Sequence, residues 1–261
     1  MNTIKLVLAW LAVTLIIPGV WARDTGVMTL DLVDEDSVDI RHYKSEGGKL
    51  LLGFACDSGN GVAEMAAAAM MADDEVEVWM PDLLSAHFLP DLKSSLREIP
   101  DSDVVRLINT AMDQTGKVVY LLSSGSGSAL LLRGLAEWEQ QNPERLNELG
   151  GVVLLFPRLY AASPEPGRAP LYIDAVGKTK TPVIILEGEK TPNKWALPAL
   201  AEKMRQGGSP VSISIIPGVR GYFYKQKNPY VAEDIVSNQL SGLIKASLVK
   251  LDWLRRDVAQ R

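Results

Sequence analysis

Cysteine is almost absent from this chain. Cys56 is the only one in 261 residues, so no intrachain disulfide can form even in an oxidising compartment. Histidine is nearly as scarce, with His42 and His87 the full set. There is no cationic excess: 27 Lys and Arg against 32 Asp and Glu give a formal net charge of −5. Such a chain has little with which to neutralise a phosphate backbone, which argues against a nucleic-acid partner. No close group of His, Asp and Glu has metal-ligand spacing, so no metal is expected. No cofactor loop is complete either. Gly125-Ser126-Gly127 begins a dinucleotide fingerprint, but Leu130 stands where its third glycine is needed, and no Gly-Lys-Ser/Thr ending follows. What remains is an ordinary globular balance of 47% hydrophobic and 23% charged residues, sufficient for a large core that needs no covalent staple.

The amino terminus reads as a targeting segment. Lys5 supplies positive charge, Leu6 to Ile17 is apolar except for Thr14, and Pro18-Gly19 breaks the run ahead of Val20-Trp21-Ala22. This three-part pattern predicts a secretory signal over residues 1–22, cut after Ala22. The apolar run falls short of the roughly 20 residues that span a bilayer, so no stable membrane span is expected after cleavage. The expected location is the periplasm, or the medium by secretion.

Residues 23–261 read as a single domain. Thr29 to Val33 and Val38 to Arg41 alternate apolar and polar residues around Asp34-Glu35-Asp36-Ser37, the pattern of an edge hairpin. Continuous apolar runs then alternate with helical periodicity. Strands are expected at 50–54, 76–80, 118–122, 152–156, 182–186 and 211–216. Helices are expected at 62–72, 103–114, 129–141 and 196–206, with a last one from near Glu233. Such alternation predicts an α/β fold: a mostly parallel central sheet with helices on both faces, preceded by the antiparallel hairpin. Two long connections, 83–100 and 158–180, have the length either of lids or binding loops or of plain surface connections.

The segment richest in chemical content is Val118-Val119-Tyr120-Leu121-Leu122-Ser123-Ser124-Gly125-Ser126-Gly127-Ser128-Ala129-Leu130. A buried strand meets a helix through very small residues. A sharp strand-to-helix turn strains one residue and demands small neighbours two positions away. Ser124-Gly125-Ser126-Gly127-Ser128 meets the demand with Ser126 at the apex, a G-x-S-x-G pattern whose outer glycines are serines. With this segment the chain resembles the α/β-hydrolase superfamily over most of its length. Leu50 to Phe54 resembles the strand entering the oxyanion loop, and Val76 to Asp82 the next strand. Val183 to Pro192 resembles the strand that ends at the acid, and Ile215 to Phe223 the strand and loop that carry the histidine. The resemblance implies that Ser126 is a nucleophile and that backbone N–H groups near Ala55, Cys56 and Gly127 hold an oxyanion.

The pattern is also broken. On the family's positions Thr191 stands for the aspartate and Gly221 for the histidine, and neither histidine of the chain lies near its C-terminal end. A serine hydroxyl without a base is a poor nucleophile. His87, in a loop after a strand, is the one candidate base, and its alternative is a plain surface or cap histidine. Glu187 and Glu189 lie near the acid position. Arg220, with Arg158, is a candidate to bind an anion beside the missing histidine. Whether the chain is an enzyme is therefore open at this level. The favoured reading is a non-catalytic or atypical member that binds a small ligand or a protein partner in the cleft. Its alternative is a periplasmic serine esterase or acyl hydrolase using Ser126 with a non-standard base.

Overall fold

A computed structural model describes residues 25–32, 36–54, 61–165 and 167–259. The expected signal segment, 1–22, lies outside them, as do Ala55 and Cys56.

Among the described residues eight strands form one sheet: β1 (Thr25–Asp31), β2 (Ser37–Tyr43), β3 (Lys49–Phe54), β4 (Val76–Pro81), β5 (Val118–Ser124), β6 (Leu149–Leu155), β7 (Val183–Gly188) and β8 (Val211–Ile216). Their order across the sheet is β1-β2-β4-β3-β5-β6-β7-β8. The hairpin β1–β2 is antiparallel and sits at one edge, with β2 antiparallel to β4; every other pairing is parallel. The α/β class, the mostly parallel sheet and the edge hairpin expected from the sequence are all present.

The helices are α1 (Val62–Asp73), the single turn α2 (Leu83–Ala86), α3 (Asp101–Thr115), α4 (Gly127–Gln141), α5 (Leu197–Gly207), α6 (Val231–Ser237) and α7 (Leu240–Ala259). They cover both faces, and the twofold period of each strand divides the core accordingly. Leu50, Leu52, Leu121, Val152, Leu154, Val183 and Ile185 pack on one face against α3, α4 and α5. Their immediate neighbours Leu51, Tyr120, Val153, Leu155, Ile184 and Leu186 pack on the other against α1 and α7. This is why the strands read as continuous apolar runs: both alternating sets are buried.

The expected single helix from Glu233 is divided. α6 ends at Ser237 and α7 begins at Leu240. Ser237 Oγ donates to the Glu233 carbonyl at 2.6 Å, the local competition with the backbone ladder that favours a break. The apolar stripe Leu240, Ile244, Leu248 and Leu251 is buried on α7, as its spacing requires. Among the described residues no helix is long and apolar enough to cross a membrane.

Candidate functional site

β5 ends at Ser124 and α4 starts at Gly127, so the chain reverses across two residues. Gly125 makes the reversal with φ +55°, a conformation that costs a residue bearing a Cβ roughly 1–2 kcal/mol. Its N–H donates to the Leu155 carbonyl at 2.9 Å, and its own carbonyl accepts from the Arg158 N–H at 2.9 Å. The turn is thereby tied to the end of β6 and to the loop that follows. Ser126 comes next in right-handed geometry, φ −72° and ψ −25°, as the residue preceding the helix. The apex is therefore Gly125, not Ser126 as the motif suggested. Glycine adopts the left-handed turn without a Cβ collision, and the serine is passed on to the start of the helix.

Tyr222 reinforces this. A Cβ placed on Gly125 would fall inside the Tyr222 hydroxyl and ring. The tyrosine lies where a side chain at the apex would project. Tyr222 itself has φ +55°, unusual for a residue with a bulky side chain. Its ring packs on Phe156 at 5.6 Å, with the Arg158 guanidinium 5.4 Å from its centroid. Next to it, a Cβ placed on Gly221 would lie 3.3 Å from Thr191 Oγ1 and 3.7 Å from Glu187 Oε1. Gly221 and Thr191, which the resemblance sets at the histidine and acid positions, thus face each other.

Ser126 is 5% exposed, and its Oγ has no hydrogen-bond partner among the described residues. It lines a cavity of about 1000 Å³ at the carboxyl edge of β5, β6 and β7, together with Phe156, Arg158, Glu187, Thr191, Arg220, Gly221 and Tyr222. This is where ligands bind in open parallel sheets. Both long connections reach it. Lys93, Leu96 and Arg97 come from 83–100, and Tyr160, Ala161 and Ile173 from 158–180. Residues of both loops thus line the cleft.

Glu187 lies at the end of β7 and is wholly buried. Burial pushes its carboxyl above the usual range, opposed by the Asn193 side chain at 2.7 Å, the Gly188 N–H at 3.0 Å and the charge of Arg158. Asn193 in turn accepts a hydrogen bond from the Tyr160 hydroxyl. The carboxylate is thus a structural tie between β7 and the loop after it. Glu189 is exposed and accepts from the Gly218 N–H at 2.7 Å.

The remaining candidates are dispersed. His87 caps α2, with Nε2 2.6 Å from Asp103 Oδ2 and Nδ1 3.7 Å from Asp36 Oδ2; it is not among the residues lining the cleft with Ser126. His42 is held by Glu77 at 2.8 Å. Arg220 does line the cleft, but its guanidinium is engaged by Glu233 at 2.8 and 2.6 Å and by the Asn228 carbonyl at 2.9 Å, and it stacks on Tyr230 at 4.3 Å. Gly127 is the first residue of α4 and is buried. Tyr222, Asn193 and Lys190 carry no motif of their own. Only the fold brings them to the cleft.

A mostly parallel eight-stranded sheet, a sharp turn after β5 and a cleft above it define the α/β-hydrolase fold. The chain shares that fold with the crystal structure of the protein named putative dienelactone hydrolase from Klebsiella pneumoniae subsp. pneumoniae MGH 78578: TM-score 0.59, 12% identity, 82% of this chain and 95% of the other covered. It also matches Est1E from Butyrivibrio proteoclasticus, with TM-score 0.59, 14% identity and coverage of 87% and 99%. The esterase Est22 superposes with TM-score 0.65 at 11% identity, covering 87% and 80%. No protein-family model and no curated protein matches the sequence.

Proposed function

We propose that this is an exported protein that uses the α/β-hydrolase cleft to bind a ligand rather than to cleave one. The observation that carries the reading is the content of the three reactive positions. The turn apex is Gly125, with Tyr222 laid across it, and by the family resemblance Thr191 stands at the acid position and Gly221 at the histidine position. Covalent acyl transfer requires a nucleophile and a base within hydrogen-bond reach. Both histidines are engaged elsewhere, by Glu77 and by Asp103. The cleft itself is retained, at a volume suited to a small molecule.

A second reading, a serine esterase or acyl hydrolase, has two observations in its favour. Of the matched structures just described, Est22 is named as an esterase and the Klebsiella protein as a dienelactone hydrolase, and by these names they support this reading more than the first. Ser126 also presents to the cleft a buried hydroxyl that has no partner among the described residues. A fluorophosphonate probe separates the two. The expected result is no labelling of the folded protein, identical for wild type, Ser126→Ala and His87→Ala. Labelling that disappears in Ser126→Ala establishes the esterase instead.

A further inference from the structure

The protein carries a net charge of −5, yet the lining of the cleft has the opposite balance. Six cationic side chains face it: Lys93, Arg97, Arg133, Arg158, Lys190 and Arg220. Arg133 and Arg220 are neutralised by Asp101 and Glu233. The other four are in no ion pair among the described residues. Among the described residues the one carboxyl in the lining is Glu187, which is buried and whose oxygens accept from Asn193 and Gly188. A concave site edged by one sign of charge concentrates ions of the other sign.

A built floor lies beneath this rim. α4 is a 15-residue helix whose amino end opens on the cleft, and helix amino termini present N–H groups and a positive dipole end to anions. Ser126, at that end, has a buried Oγ with no acceptor or donor among the described residues. A buried hydroxyl left unpaired in this way is costly unless a ligand completes it. Arg158 is held beside the same turn by its backbone bond to Gly125 and by its contact with the Tyr222 ring. Leu130, Phe156 and Ile173 supply apolar wall in the same cavity.

We infer that the cleft takes an organic anion, with its charged head at Ser126, Arg158 and the start of α4 and an apolar body along Leu130, Phe156 and Ile173. This rests on the binding function proposed above. It names a ligand class without assigning any reaction.

Calorimetric titration of the full chain with naphthalene-2-carboxylate and with naphthalene-2-carboxamide tests it, since the two differ in charge and little in shape. At low salt the carboxylate is expected to bind about tenfold or more tightly than the amide, the size of a charge-assisted hydrogen bond. Arg158→Gln should abolish most of that advantage. Arg145→Gln, which removes a surface charge paired with Asp113 and Glu148, should retain it. Equal affinity for the two probes overturns the anion assignment and leaves ligand binding standing. Binding of neither probe also overturns the anion assignment, and serine-specific fluorophosphonate labelling in the same sample then removes the binding function as well. A carboxylate preference unchanged in Arg158→Gln overturns the placement of the head.

Discussion

At position 125 the backbone needs a residue without a Cβ for two separate reasons. The first is its φ of +55°, and the second is the Tyr222 hydroxyl and ring standing where a Cβ would go. Gly125→Ala should therefore lower stability by the left-handed cost of roughly 1–2 kcal/mol plus a steric term. Tyr222→Ala removes the obstruction. The double variant should lose less than the two single variants combined, a coupling measured by denaturant melts of all four proteins. Strict additivity would show that tyrosine and turn do not meet. The one-residue shift of the apex comes from the same stretch. Both Ser124-x-Ser126-x-Ser128 and Ser123-x-Gly125-x-Gly127 place small residues around a central one, so the motif has two possible registers. The strand, by running on through Ser124, selects the second.

At the scale of an element, α6 is anchored by a single acid. Glu233 is buried and accepts from the Arg220 guanidinium, the Arg220 N–H at 2.9 Å and the Tyr230 N–H at 2.8 Å. Arg220 foremost, then these backbone donors working against the cost of burial, holds its carboxyl well down, at about 2. A carboxyl whose pKa is lower folded than unfolded stabilises the fold fully above the ordinary carboxylate range. That contribution is lost as pH falls from near 4.5 towards 2. Thermal melts should therefore decline over that window, and Glu233→Gln should melt lower at pH 7 with a flatter acid decline. An unchanged acid decline in Glu233→Gln would assign it to other carboxyls. No motif marks Glu233. It becomes legible as an anchor only when Arg220, 13 residues earlier, folds back against it.

For the whole molecule, the strands and most helices were readable because burial on both faces leaves continuous apolar runs, and one-sided burial leaves a helical stripe. The export reading comes from Lys5 and the run to Ile17. It predicts that protein recovered from a periplasmic extract starts at Arg23 by N-terminal sequencing. A chain retaining Met1 in the membrane pellet would refute cleavage after Ala22.

Local periodicity and residue size were enough to determine the layered α/β architecture and the edge hairpin, since each depends on what stands at successive positions; that Thr191 and Gly221 occupy the acid and histidine positions is what the family resemblance implies. Tertiary structure alone decided that Gly125 turns the chain, that Tyr222 covers it and that four cations with no ion-pair partner among the described residues edge one cleft. Those facts depend on groups far apart in the chain, brought together by eight strands whose order across the sheet differs from their order in the sequence.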